Sequence, residues 1–113
     1  MSYLHIICNK TDSENVINHV EQVLTAYPTL KIKDYICTEY WKISTFADIE
    51  INISVSEPAS VNMWSELFEK CFGAFELTCD DEFTELAHYA DQFDVSNNKP
   101  IFAILTVSNR LVC

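Results

Sequence analysis

Ile49-Glu50-Ile51-Asn52-Ile53-Ser54-Val55 alternates apolar and polar side chains along its whole length. In an extended chain, this period of two places the apolar side chains on one face and the polar side chains on the other. The segment therefore predicts a β-strand that is buried on one face only. Such strands are typical of antiparallel sheets that pack one face on a core.

Helical patterns lie on both sides of this strand. The stretch Thr11-Asp12-Ser13-Glu14 matches a capping box, and it precedes a helix that Pro28 ends. Pro58 suits the first turn of a second helix, and Gly73 stands where a left-handed cap would end it. The other predicted strands are residues 3–8, 30–43, 74–79 and 101–107. The second of these does not alternate cleanly, which predicts a bulged or bent strand.

A third, shorter helix is predicted after the acidic stretch Asp80-Asp81-Glu82, and residues 94–100 are predicted to form a loop. The inward-facing side chains of this helix are Phe83, Leu86, Ala87 and Ala90. The order of elements is βαββαβαβ, and its first six elements have the ferredoxin-like split βαβ order. We therefore predict an α/β fold of the α+β type, ferredoxin-like with an added helix and strand. Helices cover one face of a mainly antiparallel sheet, and residues 1–113 form a single globular domain.

The charge balance of the chain excludes some classes of binding partner. The chain has 17 Asp and Glu against 7 Lys and Arg, which gives a formal net charge of −10. Such a protein has few cations with which to displace counterions from nucleic-acid phosphates or to bind an anionic membrane. The single glycine, Gly73, also excludes a P-loop and a GxGxxG dinucleotide-binding turn. The composition therefore indicates a globular protein that binds neither nucleic acid nor a membrane directly.

The cysteines indicate a reducing compartment. They stand at positions 8, 37, 71, 79 and 113, an odd number with wide spacing and no CxxC pair. This pattern favours reduced thiols over a disulfide framework or a zinc site. The first residues lack a basic n-region, and no apolar run approaches the ~20 residues of a membrane span. We therefore expect a soluble, cytoplasmic protein with free thiols.

No residue pattern in the chain has the form of a catalytic motif. Cysteines can be paired with histidines only on paper, and buried cysteines that behave as small apolar residues are the simpler interpretation. Glu85 and His88 stand three residues apart, but as metal ligands they need further partners. His5 lies within an apolar segment and is interpreted as a core residue. We therefore predict that the protein is not an enzyme and has no metal or cofactor.

The acidic residues are concentrated between Cys71 and Asn98, where no Lys or Arg occurs. One stripe of the predicted third helix carries Asp81, Glu85, His88 and Gln92. A solvated helix face explains this stripe as well as a binding surface does, but uncompensated like charge destabilises a fold and favours a cationic partner. The predicted partner-binding residues are Glu76, Asp80, Asp81, Glu82, Glu85, Tyr89, Asp91 and Asp94.

In its size, acidity, expected compartment and lack of a catalytic motif, the chain resembles the small acidic immunity proteins that bacteria encode beside secreted or contact-delivered toxins. Those toxins are commonly nucleases with basic clefts. The resemblance implies a protein that binds a cognate basic toxin, such as one of contact-dependent growth inhibition, and neutralises it by blocking its active site or substrate surface. Two alternatives remain: a nucleic-acid mimic that inhibits a DNA-binding protein, and a small oligomeric regulatory or ligand-binding domain of ferredoxin-like fold.

Overall fold

Six strands and two α-helices follow one another in the computed structural model, which describes residues 2–89 and 102–112. The strands are β1 (Ser2–Asn9), β2 (Leu30–Glu39), β3 (Phe46–Val55), β4 (Glu76–Cys79), β5 (Phe83–Tyr89) and β6 (Phe102–Ser108). The helices are α1 (Ser13–Leu24) and α2 (Val61–Phe72), with short 3-10 turns at Lys10–Asp12 and Asn109–Leu111. The fold is therefore a mixed α+β fold, as the sequence predicts.

All six strands lie in one sheet, in the order β2-β3-β1-β6-β5-β4, and each is antiparallel to its neighbours. The central strand β1 pairs with β3 on one side and with β6 on the other, so that Ile6 lies opposite both Ile49 and Ala103. The strand that follows α2, β4, lies at the far edge of the sheet and pairs with β5. The predicted ferredoxin-like order is therefore not confirmed, because β6 occupies the place beside β1.

Residues 83–89 form β5, so the prediction of a third helix is wrong. Burial in this segment alternates: Thr84 and Leu86 are buried, whereas Glu85 between them is exposed. The preceding acidic residues form the turn between β4 and β5, in which Asp80 Oδ1 accepts hydrogen bonds from the backbone N–H groups of Glu82 and Phe83 at 2.8 and 2.7 Å. Aspartate stabilises such turns as readily as it stabilises the first turn of a helix. The predicted inward position of Ala90 and the loop at 94–100 lie outside the described residues.

Both helices pack on the same face of the sheet. The strands contribute alternate residues to the core, and the helices cover them with one apolar stripe each. The main core residues are Leu4, Ile6, Ile49, Ile51, Leu86 and Leu105 of the sheet, Val16, Ile17 and Val20 of α1, and Trp64, Leu67 and Phe68 of α2. The opposite face of the sheet carries no helix of the described residues, so neither α1 nor α2 covers its side chains.

The end of α2 at Gly73 agrees with the prediction, whereas the starts of both helices differ from it. The prediction that Pro58 lies in the first turn is wrong, because α2 begins at Val61, after the cap residue Ser60. The Ser60 hydroxyl caps α2 by accepting a backbone N–H three residues on, and Gly73 ends the helix with a φ of 95°. That positive φ favours glycine because it has no Cβ. At α1 the capping-box prediction is wrong: Asp12 precedes the helix without a side-chain cap, and the Ser13 hydroxyl donates backwards to the carbonyl of Lys10.

Candidate functional site

The candidate site is the side of the sheet that α1 and α2 leave uncovered, which we call the open face. Its residues are the ones whose neighbours along each strand point into the core. By register, the open face presents Lys31, Asp34, Ile36 and Thr38 of β2, Asp48, Glu50 and Asn52 of β3, Tyr3 and His5 of β1, Phe102, Ile104 and Thr106 of β6, Glu85, Ala87 and Tyr89 of β5, and Glu76 and Thr78 of β4.

Four rings form a continuous aromatic row across the middle of the open face. Tyr3 stacks on His5 with ring centroids 6.2 Å apart, and His5 meets the edge of Phe102 at 5.8 Å. Phe102 in turn contacts Tyr89 at 5.3 Å. Tyr89, the last residue of β5, is 61% exposed, which is high for a large aromatic residue. The aromatic row therefore offers apolar and π-electron surface to a partner.

Carboxylates flank the aromatic row on both sides. Asp34, Asp48 and Glu50 lie on the side of β2 and β3, whereas Glu76 and Glu85 lie on the side of β4 and β5. The same strands present one lysine on the open face, Lys31, which lies at a corner of the face opposite Ser54. The ion pairs formed by lysines among the described residues involve Glu39 and Glu66, neither of which is on the open face. The open face therefore carries an excess of negative charge.

His5, Asp48 and Glu50 form a closely spaced polar group on the open face. His5 Nε2 lies 2.6 Å from Asp48 Oδ1, and the Tyr3 hydroxyl donates to Glu50 Oε1 at 3.4 Å. Burial raises the pKa of the Tyr3 phenol, and the nearby Glu50 and Asp48 carboxylates raise it further. His5 is partly exposed on this face, so its interpretation as a core residue is wrong.

Within residues 2–89 and 102–112, these same three side chains are the ones whose donor atoms lie close enough together to hold a metal ion. One ligand atom from each of His5, Asp48 and Glu50 lies within 4.8 Å of the others. An imidazole and two carboxylates suit several first-row divalent ions. A metal would have to replace the hydrogen bond that His5 and Asp48 already make with each other. The geometry is equally that of a satisfied histidine–aspartate pair.

The structure divides the predicted partner-binding residues into three groups. Glu76, Glu85 and Tyr89 lie on the open face. The turn between β4 and β5, at one end of the sheet, carries Asp80, Asp81 and Glu82. Two backbone N–H groups hold the pKa of the Asp80 carboxyl below its ordinary value. Asp91 and Asp94 lie outside the described residues.

The predicted helical stripe does not exist, because its members lie on a strand and a turn. Glu85 and His88 are three residues apart in β5 and therefore point to opposite faces of the sheet. His88 lies on the helix side, where its Nδ1 is 2.6 Å from the carbonyl oxygen of Ala74. Gln92 lies outside the described residues. A metal site built from Glu85 and His88 is therefore excluded by the geometry.

Sequence reasoning missed much of the open face: Tyr3, His5, Asp48, Glu50 and Phe102 are not among the predicted binding residues. A signal for the first two exists, because Tyr3 and His5 alternate with apolar residues of the first strand. Glu50 likewise falls on the polar face of the clearest strand. That these residues meet depends on the pairing of β1 with β3 and β6, which no local pattern encodes.

The described cysteines have two kinds of environment. Cys8 and Cys71 are buried, and burial raises the pKa of each thiol to about 12. Cys37 and Cys79 are exposed, and all four are free thiols. Among the hydrogen bonds of the described residues, none joins a cysteine to a histidine.

We expect thiol labelling of the native protein to separate these cysteines by rate. Cys37 and Cys79 should react with a maleimide or a disulfide reagent within minutes, since both are exposed. Cys8 and Cys71 should react only as the protein unfolds, because the reactive thiolate is suppressed and shielded. After unfolding without reductant, all five cysteines should titrate as free thiols. Mass spectrometry that finds an intramolecular disulfide would contradict both the structure and the expected reducing compartment.

Comparison with known proteins places the chain in no family. No family model matches it, and no curated protein or solved structure shows significant similarity to it. Within the described residues, no helix is both long and apolar enough to cross a membrane. What the chain binds is therefore inferred from the chemistry of the open face.

Proposed function

We propose that the chain is an immunity protein without enzymatic activity, and that its open face binds and neutralises a basic toxin of the nuclease class. The observation that carries the proposal is the composition of the open face. Five carboxylates and the row of four aromatic rings lie on the side of the sheet that α1 and α2 leave uncovered, and Tyr89 is largely exposed there. Cytoplasmic location belongs to the same proposal, because immunity proteins of this kind protect the cell that makes the toxin.

The layout of the open face resembles that of a protein–protein interface, with rings in the middle and charges at both sides. Interfaces of this type combine a desolvated aromatic centre with a polar rim. Carboxylates such as Glu50 and Glu85 would pair with the lysines and arginines that hold phosphate in a nuclease cleft. The ring of Tyr89 would accept an arginine guanidinium on its face. The complementary charge would also speed encounter with a basic target.

A surface cleft favours a second candidate, a regulatory domain that binds a small ligand. The cleft has a volume of about 500 Å³ and lies between the end of α1 and the start of β2. Its lining residues are Glu21, Leu24, Thr25, Pro28, Leu30, Lys31 and Ile32. They provide one carboxylate and one ammonium group above an apolar floor. This candidate leaves the acidity of the open face without a use, so we rank it second.

The test is a binding titration against the purified product of the adjacent gene. We expect a one-to-one complex that abolishes the activity of that protein. Salt should slow association before it speeds dissociation, because screening acts first on long-range attraction. Tyr89→Ala should weaken the complex about tenfold or more, as for other aromatic residues at interface centres.

The matched control for Tyr89→Ala is Trp41→Ala, since Trp41 is 80% exposed and lies outside the open face. We expect this control to bind like the wild-type protein. An equal loss of affinity in both variants would show that the interface does not lie on the open face. Absence of any complex would instead favour the small-ligand candidate, and a complex with a DNA-binding protein of the host would favour a nucleic-acid mimic.

A further inference from the structure

Strand β2 is an edge strand with an unusual amount of exposed apolar surface. It is ten residues long and pairs with β3 on one side only. Tyr35 and Ile36, on opposite faces of the strand, are 51% and 60% exposed. Natural proteins usually shorten, charge or cover such edges, because an unpaired edge invites another strand. The other edge strand, β4, is only four residues long.

Within residues 2–89 and 102–112, the outer edge of the β2 backbone pairs with no other strand. At the hairpin end, the Tyr40 N–H donates to the Phe46 carbonyl across the β2–β3 ladder. In an antiparallel ladder, alternate residues bond the partner strand and the residues between them point away. Tyr35, Cys37 and Glu39 therefore direct their N–H and C=O groups away from β3. A register shift between Ile32 and Asp34 marks the predicted bulge, so the longest uninterrupted part of the strand runs from Asp34 to Glu39.

We propose that two copies of the chain associate through this edge, with antiparallel β2 strands related by a two-fold axis at Ile36. Residues directly opposite each other in a ladder share a face, so the axis must pass through a residue and not between two. With the axis at Ile36, Tyr35 lies opposite Cys37 of the second copy, and Asp34 lies opposite Thr38. The same register brings Glu39 of each copy close to the bulge that contains Lys33 of the other.

Charge and polarity favour this register over its neighbours. An axis at Tyr35 would place the Asp34 carboxylate against the apolar Ile36. An axis at Cys37 would place Tyr35 against the carboxylate of Glu39. With the axis at Ile36, apolar side chains meet at the centre and opposite charges come close together at the ends. The Tyr35 and Cys37 pairs would add about four main-chain hydrogen bonds.

The two-fold arrangement also explains why this edge would not form fibres. An isologous contact uses the same surface on both copies, so it closes after two chains. The remaining edges of the resulting sheet would be the short β4 strands, whose residues include the exposed Glu76. The dimer does not depend on the identity of a toxin, because none of its contacts requires a third protein.

The first test is the oligomeric state of the full chain by sedimentation velocity across about 1 to 100 µM. We expect the wild-type protein to approach twice its 13.0 kDa mass at the upper end. Ile36→Lys should raise the dimer dissociation constant at least tenfold. The two copies of residue 36 face each other with Cα atoms about 4.5 Å apart, so the substitution places two positively charged side chains side by side. The control is Leu77→Lys, since Leu77 is 43% exposed on the other edge strand.

The second test is a cross-link that reports the register. The background has Cys37, Cys79 and Cys113 replaced by serine, which leaves the buried Cys8 and Cys71. Ile36→Cys in this background should give a disulfide-linked dimer on mild oxidation, because its two copies lie directly opposite. Thr38→Cys should not, because its neighbour in the second copy is Asp34.

Three results would overturn the proposal. If the wild-type protein stays monomeric throughout the concentration range, the edge of β2 does not pair with a second copy, and its partner would be a strand of a different protein. Dissociation caused by Leu77→Lys and not by Ile36→Lys would place the contact on β4. A dimer that cross-links through Thr38→Cys but not through Ile36→Cys would exclude the register. Each result is independent of toxin binding, which the titration of the open face measures separately.

Discussion

Phe68→Ala is expected to lower the free energy of unfolding by about 3–5 kcal/mol, the range found when a buried phenylalanine is truncated. The Phe68 side chain is 0% exposed and lies in α2 where the helix meets the sheet. Its ring contacts Phe72 at 5.0 Å and Phe75 at 5.6 Å between centroids. Truncation removes these contacts and leaves a cavity that the rigid sheet cannot close. A loss of this size is a large fraction of the total stability of a typical domain.

Urea denaturation followed by circular dichroism measures this loss. Trp41→Ala is the control, because it also removes a large ring but one that is 80% exposed. We expect the control to change stability by less than about 0.5 kcal/mol. A loss below about 1 kcal/mol for Phe68→Ala would mean that α2 does not pack on the sheet as described.

The elements that the sequence predicts correctly are those whose local pattern fits only one type of secondary structure. In β3, Ile49, Ile51 and Ile53 are buried and the polar residues between them are exposed, as the alternation requires. In α2, the apolar stripe at helical spacing and Gly73 at its end determine both the face and the last turn. For both elements, local preference and tertiary packing agree.

The segment from Phe83 to Tyr89 shows why other elements escape prediction. Phe83, Leu86 and Ala87 fit a helical spacing, yet Thr84 and Leu86 fit a strand equally well. A segment of seven residues is too short for its period to decide between the two. The decision comes from β6 and β4, which flank it in the sheet. Pairing partners override a weak local preference, and they cannot be read from the segment itself.

The candidate site is harder to predict than the fold because it is assembled from all six strands of the sheet. The sequence indicates an acidic partner-binding region, and three of its predicted residues lie on the open face: Glu76, Glu85 and Tyr89. The aromatic row and the acids of β3 depend on sheet order, which brings residues from both ends of the chain together. Replacing the predicted helix by a strand also changes which acids share a face.

Charge reversal of Glu50 and Glu85 is expected to weaken the toxin complex by about 2–5 kcal/mol, or roughly 30- to several-thousand-fold. The two residues lie on opposite sides of the aromatic row, so the reversal removes attraction at both flanks of the open face. Both are exposed, so lysine at either position should leave the fold intact. The double variant Glu50→Lys/Glu85→Lys is titrated against the product of the adjacent gene, and its circular dichroism spectrum checks the fold.

Glu57→Lys/Glu69→Lys is the matched control, because it changes the net charge equally, from −10 to −6, by replacing two acids with two lysines. Both control residues are exposed, in the segment before α2 and on α2 itself, away from the open face. If net charge alone attracts the partner, the two variants will lose affinity equally and show the same salt dependence. If the open face is the interface, the control will lose mainly association rate, whereas the open-face variant will also dissociate faster, because its lysines face the cations of the toxin.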